Sequence, residues 1–367
     1  IARTAKATVI ANVLADLDEV INGNYLPTSY DADNKGRITR WAAMAIKAKI
    51  YLFEGNWTQV KNITSTIMTE GGFKLFGSYA GLFEIANEYN SEVILDAQYR
   101  PTSREHQMMY VFLPPTLGGY SQLSPLQELV DSYIMLDGKT IKETGTSFDE
   151  SHPYANRDPR LKATVMYTGN SYTLADGTEV VINCEKGEGK DGYGVGSDCS
   201  ATGYYIKKYW DNAYRATLYS GLNPILIRYA DILLMNAEAL AELGELDKTA
   251  WDATIKPIRD RAGFTLASAV EFPEGASKDK LIEIVRNERR SELALEGHRH
   301  KDIIRWRIAD DVLNGWCHGL KTNEVVGTDN GYVRVENRAF NANKHYLWPI
   351  PQAERDLNGN LVQNPNW

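Results

Sequence analysis

Apolar residues recur at helical spacing in four stretches of this chain. Val9, Val13, Leu14, Leu17, Val20 and Ile21 share one face of an opening amphipathic helix. Over 39–71, Trp41, Ala45, Ala48 and Leu52 form one stripe and Trp57, Val60, Ile63 and Ile67 a second. Gly55 between them can take a left-handed cap and Gly71-Gly72 ends the pattern, so the segment predicts a helical hairpin. Residues 224–263 repeat the plan. Pro224 suits a helix start, Ile227, Ala230, Leu234, Ala237 and Ala241 form the stripe, and Gly244 caps it. A partner helix runs to Gly263, bent or interrupted at Pro257. Aligning Gly55 with Gly244 sets Ala48 opposite Ala237, small residues that let helices approach closely. This is a degenerate tetratricopeptide-like signature, and such hairpins are packing modules without chemistry of their own. A third helical block covers 277–306, with Leu281, Ile284, Val285 and Glu288 beginning its inner face.

The periodicity fails elsewhere. Residues 100–222 are rich in Gly, Pro, Tyr, Asn and Asp, with short strand-like pieces such as 163–167 and 179–183. Residues 321–367 read as irregular. The expected architecture is therefore mainly α: a tetratricopeptide-like helical hairpin scaffold with a long loop-rich insertion containing short strands. We read 1–367 as one domain, with scaffold at 1–99 and 223–320, a ligand-facing insertion at 100–222, and a closing segment at 321–367. Function tends to sit on loops held by a rigid scaffold.

Composition narrows the class. A chain of 367 residues exceeds the ~250–300 at which one core stops growing, so a lobed molecule is expected. The net charge is −8 with no basic block, which argues against a nucleic acid partner. No apolar run of ~18 residues is present to span a membrane as a helix. The opening Ile1-Ala-Arg-Thr-Ala-Lys has no initiator Met and no signal-peptide pattern, which implies that the natural beginning is missing. Of three cysteines, Cys184 and Cys199 flank a Gly-rich loop and would pair in an oxidising compartment; three free thiols are the other reading, and no zinc spacing is present.

The motifs that suggest chemistry fail their context tests. Gly187, Gly189 and Gly192 spell GxGxxG, but Tyr193-Gly-Val-Gly-Ser follows instead of a helix start. Asp31, Asp33 and Gly36 open like a calcium loop, yet Lys35 and Ala42 stand where oxygen ligands belong, so a polar turn capping the next helix is expected. His298 and His300 have no third ligand nearby. Glu288, Glu292 and Glu296 fall at i, i+4 and i+8, a spacing that could serve a helical glycoside hydrolase. Arg286, Arg289, Arg290 and Arg299 interleave with them, which predicts an ionised structural network in place of a general acid. No catalytic residue, metal site or cofactor is expected.

What remains is aromatic. The chain has 21 Tyr and 8 Trp against 9 Phe, and thirteen of the Tyr and Trp rings fall in the insertion. Tyrosine presents a flat apolar face with a polar edge, suited to the C–H faces of sugars. Rings flanked by Gly or polar residues are the candidates for exposure: Tyr120 after Gly118-Gly119, Tyr172 after Asn170-Ser171, and Tyr193 between Gly192 and Gly194. Tyr110 is a fourth, although Val111 and Phe112 beside it predict a buried strand. Tyr204–Trp210 alternates like a half-buried strand.

Five segments, in order, resemble the SusD/RagB family of outer-membrane nutrient-binding lipoproteins. They are WAAMAIKAKIYLFEGNW from Trp41, YANRDPRLKATV from Tyr154, RYADILLMNAEAL from Arg228, IVRNERRSELALEGHRHKDIIRW from Ile284 and YLWPIPQAERDLNGNLVQNPNW from Tyr346. The resemblance implies a non-catalytic, cell-surface glycan binder that delivers oligosaccharide to a SusC/RagA-like TonB-dependent barrel transporter. It implies an outer-membrane location through an N-terminal lipid anchor outside this sequence. A peptide-binding member of the same family is the alternative, followed by the hydrolase, and a pure helical adaptor comes last.

Overall fold

The structure, a computed structural model, describes residues 2–367. Helix α1 spans Lys6–Asn22, α2 Arg40–Glu54 and α3 Trp57–Glu70. The Thr39 hydroxyl accepts from the Ala42 N–H at 3.2 Å and starts α2, so the polar stretch before it is a cap, as expected. Gly55, at φ +68°, ends α2 and lets the chain turn directly into α3. Trp41, Ala45, Ala48, Leu52, Val60 and Ile67 are buried along the expected stripes.

The second hairpin begins later than its proline suggested. Ile225–Arg228 form strand β2, antiparallel to β1 (Val93–Asp96), and helix α4 starts only at Tyr229 and ends at Leu243. Backbone pairing with β1 claims the residues after Pro224, so Pro224 does not open a helix. Helix α5 (Lys248–Ala262) continues through Pro257, so of the expected bend or interruption the interruption does not occur. An interior proline costs about 3 kcal/mol. Burial of Trp251, Ile255 and Ile258 on one face of α5, at about 1.5–3 kcal/mol each, outweighs it.

The third block is two helices, α6 (Lys278–Glu292) and α7 (Arg299–Arg305). Leu295 and Gly297 take φ of +65° and +80° and break the run between them. Glu296 therefore lies beyond the helix that carries Glu288 and Glu292, not on its third turn. Its side chain is instead drawn to Lys208 and Arg228.

Chain segments 97–224 leave and return through the β1–β2 ribbon, where the Ala97 N–H donates to the Pro224 carbonyl at 2.9 Å. Between these points lies a separate core of Met109, Leu113, Val130, Leu161, Val165 and several tyrosines. Its strands are shorter than expected: Val165–Met166 pairs with Tyr205–Ile206, and Ser171–Thr173 with Glu179–Val181. Tyr204, Tyr205 and Ile206 are all buried, so the expected alternation is absent there. The segment after α7 is not wholly irregular. Strands β3 (Gly315–Lys321) and β4 (Tyr332–Arg338) pair antiparallel, with Thr328–Asp329 against β4. Few of their residues are buried (Cys317, Leu320 and Val333 are), which left little apolar pattern to read.

Candidate functional site

The insertion core decides which tyrosines reach solvent. Tyr110 lies on a short helix, Met108–Phe112, and not on the buried strand its neighbours suggested. That helix buries Met109 and leaves Tyr110 half-buried. The chain then turns through Pro115–Leu117 and Gly118, at φ +85°, to Gly119. A Cβ on Gly119 would stand 2.1 Å from the Leu113 carbonyl oxygen, so only glycine permits this close return. The return lays Tyr120 on Tyr110. The Tyr120 N–H donates to the Tyr110 carbonyl at 2.9 Å, and the rings stack with centroids 4.4 Å apart at 29°.

Tyr219 stands next to this pair. Its hydroxyl accepts from Gln107 Nε2 at 3.0 Å, and Gln107 lies one turn before Tyr110. Tyr120 and Tyr219 are each 40% exposed, which makes them the open rings of the cluster. Ser121 and Leu218, adjoining them, both take left-handed backbone at φ +42° and +59°. Such conformations cost about 1–3 kcal/mol and are held only by surrounding structure. A hydrogen bond with Tyr120 and then partial burial push the Tyr110 hydroxyl up to about 12. The Tyr110 hydroxyl is therefore protonated at neutral pH.

A second loop supports it. The buried Asp191 accepts from the Thr116 N–H at 2.8 Å, and its carbonyl accepts from the Tyr205 hydroxyl at 2.5 Å. Tyr193 follows in this loop, half-buried against the insertion core. Gly187 and Gly189 take positive φ and lead into turns, so the GxGxxG stretch is loop geometry without a phosphate-holding helix.

Tyr172 is a correction. It is fully buried on Ser171–Thr173, donates its hydroxyl to the Ile206 carbonyl at 3.1 Å and packs on Trp210 at 5.1 Å. Pairing of its strand with Glu179–Val181 turns the ring inward, and it presents no face to a ligand. Tyr219 is the residue that sequence reasoning passed over. Leu218 before it hid it among packing residues, and only Gly221, two positions on, hinted at an open turn.

The glutamates form a buried network. Arg160 meets Glu288 at 2.6 Å and Glu292 at 2.9 Å; Arg228 meets Glu292 at 2.6 Å and Glu296 at 2.7 Å. Arg259 adds a bond to Glu288 at 2.7 Å, and Arg261 pairs with Glu292. Burial alone would raise these carboxyls. Arg261, Arg228 and Arg160 overcome it and hold Glu292 far below the usual range; Arg228 and Lys208 do the same for Glu296, at about 2. Permanently ionised carboxylates cannot serve as a general acid. Burial lowers His298 to about 4, and no group of three or more metal-ligating side chains exists among the described residues. Cys184, Cys199 and Cys317 are free thiols.

A profile of the SusD family matches residues 82–367. The chain belongs to the SusD family. SusD-like protein P25 of Formosa agariphila is 28% identical over 99% of this chain and 64% of its own length. The chain thus spans somewhat under two thirds of that relative. The crystal structure of a SusD-like carbohydrate-binding protein from Bacteroides fragilis is 30% identical, with a TM-score of 0.85 over 99% of this chain and 72% of that one. A laminarin-binding SusD-like protein, at 23% identity and a TM-score of 0.61, covers 99% of this chain and 70% of its own and shares the fold. The mainly helical architecture with few short strands is that of SusD-like structures.

Proposed function

We propose that this SusD-family chain captures an oligosaccharide at the cell surface and delivers it, uncleaved, to a SusC/RagA-like TonB-dependent barrel transporter of the outer membrane. Tyr120 and Tyr219 supply the open ring faces, Tyr110 backs Tyr120, and Tyr193 borders the supporting loop. The observation that carries the reading is the solvent-facing, glycine-permitted stack of Tyr120 on Tyr110. The amphipathic faces of stacked tyrosine rings suit the C–H surface of a sugar. The carbohydrate-binding relative from Bacteroides fragilis supports the ligand class. The ionised state of Glu288, Glu292 and Glu296 supports capture without hydrolysis.

Calorimetry against a panel of neutral oligosaccharides, with a peptide digest alongside and product analysis on the same samples, tests this. Stacking on one ring is worth about 1–3 kcal/mol in the nucleobase analogue. Tyr120→Ala is therefore expected to weaken glycan binding by about tenfold. Binding of peptides alone, cleaved sugar, or an unchanged Kd in the variant would overturn the reading.

A further inference from the structure

A second cavity lies away from the tyrosine face, on the scaffold. It is an open pocket of about 530 Å³ between α4, α6 and α7, within the range of small-ligand sites. Three guanidinium groups line it: Arg286, Arg290 and Arg299. Trp306 forms a wall, with its indole N–H fixed on Glu238 at 2.6 Å. Arg286 lies 4.8 Å and Arg299 5.9 Å from its ring centroid.

These cations are poorly compensated. Arg286 meets Glu242 at 3.0 Å, yet its Nε is buried without an acceptor. Arg290 donates to the Glu128 carbonyl and makes no ion pair, with the Glu128 and Asp131 carboxylates near enough only to favour its charge in part. Arg299 makes no hydrogen bond or ion pair among the described residues; its contact is the Trp306 ring. Burial and the neighbouring Arg299 charge depress the Arg290 guanidinium to about 10, the opposite of what its counterparts in the glutamate network experience. Of the acids of the same cavity, Glu242 pairs with Arg286 within it and Glu283 with Lys280 at 3.1 Å, while Asp279 stands in the first turn of α6. Their charge disfavours a polyanion.

We propose that this cavity binds a small organic monoanion, its carboxylate held by the Arg299 and Arg290 forks. Planar guanidinium matches carboxylate with paired hydrogen bonds, and an anion there would relieve the repulsion between the two arginines. The inference is independent of the tyrosine face, and failure of neutral glycan binding leaves it standing.

Calorimetric titration of the full chain with glucuronate, with glucose as its uncharged counterpart and sulfate as an inorganic anion, tests it. Saturable glucuronate binding that weakens with added salt, absent for glucose, is expected. Arg299→Gln should lower that affinity by about tenfold or more, the loss of a charge-assisted pair. Arg299→Lys should fall between, since it keeps charge without the fork. Arg299 makes no ion pair and opposes Arg290, while the nearby Asp302 favours its charge, so Arg299→Gln should leave the thermal midpoint close to that of the parent. Binding of glucose equal to glucuronate, of sulfate alone, or of glucuronate unaffected by Arg299→Gln would overturn the proposal, as would no saturable binding at all.

Discussion

Glu292 shows how a single position settles between chemistry and architecture. Its carboxylate meets Arg160, Arg228 and Arg261, and it is fully buried. Removing one member of such a network strands the others, at a cost of about 3–5 kcal/mol. Glu292→Gln is therefore expected to lower the urea midpoint strongly while leaving any glycan affinity of the folded protein intact. A variant of near-parental stability with lost ligand binding would return Glu292 to a functional role. The sequence predicts an ionised network here but names the wrong cations: Arg286 pairs with Glu242, Arg289 with Asp231 and Asp302, and the glutamates are held instead by Arg160, Arg228, Arg259 and Arg261 from distant segments. Equal spacing placed Glu296 on the same helix, whereas it reaches the network from the turn beyond. Tyr172 misled for a related reason. Flanking polar residues signal a turn, but which face of a three-residue strand turns inward depends on its partner strand.

Among elements, the helical hairpins were the readable part. Glycine caps and period 3.6 are local signals, and Gly55 and Gly244 both adopt the expected left-handed conformation. The short strands were not readable, because two- and three-residue ladders carry no period and borrow their stability from the core beneath. The Pro115–Tyr120 turn lies between these extremes. Its glycines marked a turn, but the approach of Gly119 to Leu113 is a property of the folded chain. Gly119→Ala places a methyl against that carbonyl, and the turn must open. The expected result is loss of the Tyr110–Tyr120 stack, seen as a fall of the Tyr110 hydroxyl toward 10 in a spectrophotometric titration, with weakened glycan binding. An unchanged titration would show that the turn tolerates the methyl.

For the whole molecule, acid is the informative perturbant. Glu296 titrates at about 2 when folded against 4.5 as the ordinary value, so the unfolded chain takes up its proton first as pH falls. Its contribution, about 3 kcal/mol at about 1.4 kcal/mol per unit, is present above pH 4.5 and is lost between 4.5 and 2. Glu288 and Glu292 are depressed too and begin their loss at the same pH, and the depressed Asp231 and Asp302 follow below 3.8. His298, at about 4 against 6.5, begins the loss earlier, while His318 is raised by Asp329 and Glu128 against its partial burial and contributes most below 6.5. The urea midpoint should thus drop most steeply below pH 4.5. A midpoint unchanged down to pH 3 would contradict the network as drawn.

The β1–β2 ribbon has an evolutionary corollary. Because the insertion departs and re-enters within one hydrogen bond, the scaffold places almost no demand on its length: doubling a loop costs only about 0.6 kcal/mol of closure entropy. What the scaffold does demand is a key. Arg160 and Lys208, both from the insertion, neutralise Glu288, Glu292 and Glu296 in its floor. The insertion is in effect an exchangeable cartridge, free to vary its outer surface as long as the two cations on its underside still fit the same receptacle.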